Sequence, residues 1–226
     1  MKISEEIRRE NDKLWILSQD HSFVQAIAND VLPEDKFKFY MFNDLYFLEH
    51  YVNAHFHAAA LATDYDVKNW LANKCNNMVK GQIEERDQFR KRFNITDSDI
   101  KEFVPAPSAY GYTSHLYREC MSGDLARIIA AVLPCYWVYA DIGLKYKDCR
   151  PEKDYCANFI DTYSSDRFQE GSNYMVNLLD TLCMNYCNEH RQLIKDSFVL
   201  ATEYELAFWE MSWSKEQWLS KSSKNI

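Results

Sequence analysis

The chain has 226 residues, 47% of them hydrophobic, and a formal net charge of −8. That apolar fraction excludes a disordered chain, and the acidic balance, with no prominent Lys/Arg run, excludes the positive field that nucleic-acid phosphates require. No apolar run of about 18 residues or more is expected to cross a membrane, and the opening MKISEEIRREND lacks the apolar stretch of a signal peptide, so a cytoplasmic location is the default expectation.

The apolar spacing is helical nearly throughout. Ser4, Glu5 and Glu6 open a first helix expected to run to about Ser18, and Ser22 caps a short one over FVQAIAND. Pro33, Glu34 and Asp35 form a strong start signal, proline followed by acids at the positive end of the helix dipole. That third helix reaches about Ala62. A fourth spans about 67–93, and FVPAPSAY reads as an extended loop. Helix resumes near Ser108, runs to about Met121, and restarts at Gly123 and Asp124 as far as about Lys147. After a loop at Pro151, helices are expected at about 154–162, 166–187 and 190–211, with a short one near Glu216. Gly and Pro occur five times each, so turns are few and elements long. The expected class is all-α, a single-domain helical bundle over residues 1–226.

Seven cysteines without a CxxC spacing argue for free thiols over a disulfide framework. One of them raises a question. LPCYWVYADIG places Cys135 directly after Pro134 and before Tyr136, Trp137 and Tyr139. Proline removes a backbone donor and clashes one turn back, so the helix is expected to kink or restart there. A restart would put Cys135 in a first turn, where the dipole favours a thiolate. The alternative is a small core residue beside a tolerated kink.

Three further stretches carry polar groups among rings. In FYMFNDLYFLEHY, Tyr40, Asp44 and Phe47 share one helix side. Asp44 is either solvent-facing or an acid between rings, suited to the paired donors of an amidine or aminopyrimidine edge. In ATEYELAFWEMSW, Glu205, Phe208 and Trp209 share a face, and at least one of Glu203, Glu205 and Glu210 is expected to point inward. A glutamate against rings has a raised pKa, as a general acid/base needs; the alternative is that all three are exposed. In SAYGYTSHLYREC, Tyr110, Tyr112 and Tyr117 flank His115, which reads more readily as a structural residue than as a ligand. His50, His55 and His57, and Cys183, Cys187 and His190, do not complete a metal set. His21 alone is a weak haem-ligand signal.

Taken together, DKFKFYMFNDLYFLEHY, PSAYGYTSHLYREC, AAVLPCYWVYADIG, DTYSSDRF and ATEYELAFWEMSW resemble, in order and spacing, the successive motifs of the TenA / thiaminase II family. The resemblance implies a haem-oxygenase-like helical bundle without haem, usually a homotetramer. It implies an aminopyrimidine aminohydrolase of thiamin salvage, acting on 4-amino-5-aminomethyl-2-methylpyrimidine and, for many members, thiamin. No cofactor or metal is implied, and no nucleic-acid or membrane partner. LPCYW places the chain in the cysteine-containing branch.

By that resemblance Cys135 matches the nucleophile, which adds to the pyrimidine ring so that the exocyclic methylene expels its amine; water then adds and the sulfur leaves. Glu205 matches the general acid/base, and Asp44 the acid that holds the aminopyrimidine edge. Tyr112, Tyr139, Tyr163 and Phe208 match pocket residues. Phe47 stands where many relatives carry tyrosine, and Asn43 where glutamine is common, departures expected to touch rate or substrate preference before reaction type. Two rival readings stay open: a non-catalytic pyrimidine-binding or regulatory protein, and a haem or redox protein, both on this scaffold.

Overall fold

The computed structural model describes residues 1–222, and among them all regular structure is helical. In chain order the helices are α1 (Ile3–Glu10), α2 (Asp12–Gln19), α3 (Ser22–Ala28), α4 (Glu34–Leu61), α5 (Tyr65–Phe93) and α6 (Asp97–Glu102). They continue with α7 (Pro107–Cys120), α8 (Leu125–Tyr146), α9 (Asp154–Ser164), α10 (Asp166–Leu182), α11 (Asn188–Ser214) and α12 (Leu219–Ser222). The all-α expectation holds.

Local chemistry sets the boundaries. Asp64 caps α5 by accepting from the Asp66 and Val67 amides, Asp124 caps α8 through Ala126, and Ser165 caps α10 through Phe168. Helix α5 ends on Asn94 in the left-handed region, φ 51°, a residue that tolerates it. His21 caps α3 by accepting from the Phe23 amide, and its Nε2 lies 3.1 Å from Glu210. It is therefore a capping residue, which accounts for it without haem.

Five expectations need correction. The first helix is broken at Asn11, whose side chain donates to the Ile7 carbonyl at 2.9 Å and so competes with the helix ladder. Helix α6 was not expected; Thr96 and Asp99 form a reciprocal capping box that starts it. Helix α10 stops at Leu182, short of 187. His115 is not ringed by tyrosines of its own segment: Tyr110 is exposed and Tyr117 bonds His50 and Asn53. Finally, α8 is long and apolar enough to cross a membrane, but 72% of its apolar window is buried within the protein. It is the central helix of the bundle.

Helix α8 packs against α11, α10, α9, α7 and α4. It continues through Pro134 as one helix, so of the two outcomes expected, a kink or a restart, the restart does not occur. The interior proline costs about 3 kcal/mol. Ile128, Ile129, Val132 and Leu133 just before it are fully buried, and each such side chain contributes about 1.5–3 kcal/mol, which offsets that cost. Tyr51 of α4 adds a 2.8 Å bond to the Val132 carbonyl. Gly143, one turn before the end of α8, lies against the backbone of α9: a Cβ there would overlap the Tyr163 carbonyl group.

Candidate active site

Helix α8 delivers Cys135 to the middle of the bundle. Because the helix does not restart, the sulfur has no dipole of a first turn beside it. Cys135 is half-buried, and its surroundings push the thiol well up. The largest cause is burial, followed by the negative fields of Glu205 and Asp44; the Tyr51 hydroxyl and the Lys74 ammonium oppose them. One sulfur and two acids, carried by α8, α11 and α4, thus lie within electrostatic reach of one another.

Glu205 is the inward member of its trio. It is buried, whereas Glu203 and Glu210 are exposed. Tyr112 of α7 donates to its Oε1 at 2.7 Å. Burial pushes the Glu205 carboxyl up to about 8, with the Tyr112 hydrogen bond pulling the other way. A carboxyl so held is protonated at neutral pH and can release and recover a proton close to it.

Asp44 is buried on α4. Burial pushes its carboxyl well up, and the charge of Glu85 on α5 adds to this; the Tyr40 hydroxyl pulls it down. Tyr40 also faces Tyr139 and Tyr163. The spacing of Tyr40, Asp44 and Phe47 on one buried face is as expected.

The walls are aromatic. The Phe47 ring lies 4.6 Å from Tyr112, 5.3 Å from Tyr51 and 5.7 Å from Phe208, centroid to centroid. Tyr139 meets Tyr163 edge-on at 4.6 Å. Phe47, Tyr112, Tyr139 and Phe208 are buried, and Tyr163 is half-buried. Every site residue expected from sequence falls in this region. Asn43 lies just outside it, where its Oδ1 accepts from the Ala106 amide at 2.9 Å and so ties α4 to the start of α7.

A cavity of about 850 Å³ between α4, α5 and α9 reaches Asp44, Tyr40 and Tyr163 from outside. Its lining does not include Cys135, Glu205 or Tyr112. The cavity brings in Glu85, which sequence reading missed. Burial pushes the Glu85 carboxyl up. Its signal was its place four residues before Phe89, a buried position on α5, which puts both on one helix face. Tyr51, seven residues after Asp44, was legible by the same logic.

The tyrosines behind the sulfur are ordered by a histidine. His55 Nδ1 lies 2.8 Å from the Tyr51 carbonyl and so donates. Nε2 then accepts from the Tyr136 hydroxyl at 2.9 Å. Burial pulls His55 down to about 4, so its ring is neutral at physiological pH. Among the described residues no group of three or more His, Cys, Asp or Glu side chains is placed to hold a metal ion.

Chemically, the arrangement offers a thiol, a protonated carboxyl, a second buried acid, and flat apolar walls. The model of the TENA/THI-4/PQQC family matches residues 9–215. An aminopyrimidine aminohydrolase of Bacillus subtilis (strain 168) is 36% identical over 226 residues, covering 100% of this chain and 96% of the relative. An aminopyrimidine aminohydrolase of Helicobacter pylori is 27% identical, covering 94% and 99%. Among solved structures, a TenA homologue protein from P. horikoshii OT3 superposes with a TM-score of 0.85 at 24% identity, covering 95% of this chain and 99% of that one, a likeness of fold.

Proposed function

The chain belongs to the TENA/THI-4/PQQC family, and from that premise we propose that it is an aminopyrimidine aminohydrolase of thiamin salvage, a thiaminase II. It hydrolyses 4-amino-5-aminomethyl-2-methylpyrimidine, or thiamin, to the 5-hydroxymethylpyrimidine. The observation that carries this reading is the electrostatic coupling of Cys135 to Glu205 and Asp44 in a region walled by rings. In sequence they stand on three separate helices.

Each group has a step. Asp44 accepts hydrogen bonds from the aminopyrimidine edge and fixes the ring against the wall that Phe47, Tyr112 and Phe208 form. Cys135 sulfur forms a bond to a ring carbon beside the one that bears the methylene. Glu205 gives its proton to the adjacent ring nitrogen and takes up the thiol proton, so the carboxyl ends as it began. The ring is no longer aromatic, and electron density from the 4-amino group breaks the bond between the methylene and its amine. Water adds to the exposed methylene and its proton passes to the released amine. The ring nitrogen then gives its proton to Glu205, which returns its own to the departing sulfur, as the carbon–sulfur bond breaks and aromaticity returns. In sum one water is consumed and one amine is released.

Within the same reading the protein is cytoplasmic and assembles as a homotetramer, and residues 1–226 form one domain. The apolar side chains left exposed, among them Phe56, Val31 and Leu200, are compatible with such assembly.

The test is release of ammonia from the aminomethylpyrimidine. Wild-type protein turns over, and Cys135→Ala loses about 10³-fold or more in kcat, as removal of a nucleophile does. Cys135→Ala as active as wild type would end this assignment, and tight pyrimidine binding with no ammonia from the wild type would make the protein a binder instead.

A further inference from the structure

The sulfur of Cys135 lies in surroundings that disfavour its reactive form. Glu205 of α11 and Asp44 of α4 oppose a thiolate, and so does burial. The tyrosines that share this region, Tyr51 of α4, Tyr112 of α7, Tyr136 and Tyr139 of α8 and Tyr163 of α9, are all kept as neutral phenols by burial. Something must hold the negative charge when the sulfur loses its proton.

Lys74 of α5 is placed to do so. Its ammonium stands 4.9 Å from the centre of the Tyr136 ring, the residue next to Cys135 in sequence. Its other side meets α10: a Cβ on Gly171 would stand 3.5 Å from Nζ, and Arg167 of α10 repels it. A Cβ at that distance would make no more than ordinary contact with the ammonium. Among the described residues no carboxylate forms a salt bridge with Lys74. The group is half-buried, and burial lowers its pKa while Cys135 raises it. A cation kept from water without an acid partner is costly. His55, the other basic group here, is hydrogen-bonded on both nitrogens as a neutral ring.

We infer that Lys74 is a positioning residue for the reaction: its ammonium, held against the ring of Tyr136, the residue that follows Cys135, is the counter-charge that stabilises the Cys135 thiolate. This rests on the reading of Cys135 as the nucleophile. Loss of the thiol proton then forms an ion pair partly shielded from water, where attraction is stronger than in open solvent.

The experiment is alkylation of the intact protein by iodoacetamide across pH without substrate, with the Cys135 peptide quantified by mass spectrometry. Cys149, also half-buried but outside the site, is the internal control. In Lys74→Met the midpoint for Cys135 moves up by about 1 pH unit, the size of shift a nearby opposite charge produces, while Cys149 is unmoved. Lys74→Arg keeps the midpoint near that of the wild type. Met keeps the side-chain length and leaves no broken salt bridge behind, and a circular-dichroism melt checks folding. If Met fails to fold, Lys74→Gln is read the same way. A Cys135 midpoint in the folded variant that coincides with the wild type overturns the inference. A fully active Cys135→Ala would instead remove the nucleophile reading and leave the alkylation result standing, so the two failures are distinct.

Discussion

Tyr112 and Glu205, separated by 93 positions in sequence, meet in a 2.7 Å hydrogen bond at the centre of the protein. The phenol donates, so it favours the carboxylate form and holds the carboxyl in one orientation. Burial works against it and wins, leaving the group at about 8.

Tyr112→Phe therefore has a defined signature. With the donor gone the Glu205 carboxyl rises further, and the limb of the pH–rate profile that reports it moves to higher pH. The rate kcat falls by about 10-fold or more, the value of a hydrogen bond to a charged group. A pH series of initial rates checks both; an unmoved limb would show that Glu205 does not titrate in turnover.

Glu205 also ties folding to pH. In the unfolded chain its pKa is the ordinary 4.5, and in the fold about 8. Between those values the folded state holds a proton the unfolded state has lost, so stability falls as pH rises through the window. Asp44 and Glu85, both pushed up, act in the same sense. His55 acts oppositely: its pKa drops from 6.5 to about 4, so its contribution is lost as pH falls between them. The Tm of Glu205→Gln should be close to that of wild type near pH 5 and exceed it increasingly toward pH 8. Parallel Tm curves for the two proteins would contradict this.

Asp44→Ala should act on binding. Removing the acceptor for the aminopyrimidine edge raises KM by about 10- to 100-fold, the worth of a charge-assisted pair, with a smaller effect on kcat. Steady-state kinetics with the aminomethylpyrimidine separate the two; a pure kcat defect would reassign Asp44 to the chemical step.

Gly143→Ala tests the frame of the site. The added methyl would overlap the Tyr163 carbonyl, so α9 must shift. The expected cost is about 1–3 kcal/mol, seen as a lower Tm, together with a raised KM as Tyr163 is displaced. A variant with unchanged Tm and KM would show that the two helices part easily.

Much of this site was legible in the sequence because its signals are periodic. Tyr40, Asp44 and Phe47 fall on one helix side by spacing alone, and so do Glu205, Phe208 and Trp209. What was not legible depends on neighbours. Glu85 lies in the strongly charged run EERDQFRKRF, where a carboxylate reads as solvated; only the packing of α5 on α4 turns it toward Asp44. Lys74 likewise reads as an outward charge until α10 presents a glycine beside it. Pro134 suggested a helix start, and a dipole at the sulfur with it, but tertiary burial of the preceding turns carried the helix through. The break at Asn11 and the single turn of α6 turn on side-chain bonds to nearby backbone, which a hydrophobic period does not register.

The contact at Gly143 has one more result. Main chain touches main chain there, with no flexible side chain between to absorb a sliding motion. The sulfur-bearing helix and the segment that carries Tyr163 must then travel as a welded pair. A planar guest cannot be let in by prying these two apart. Whatever breathing admits it has to come from the opposite flank, where α4 and α5 carry Asp44 and Glu85 along the mouth of the cavity.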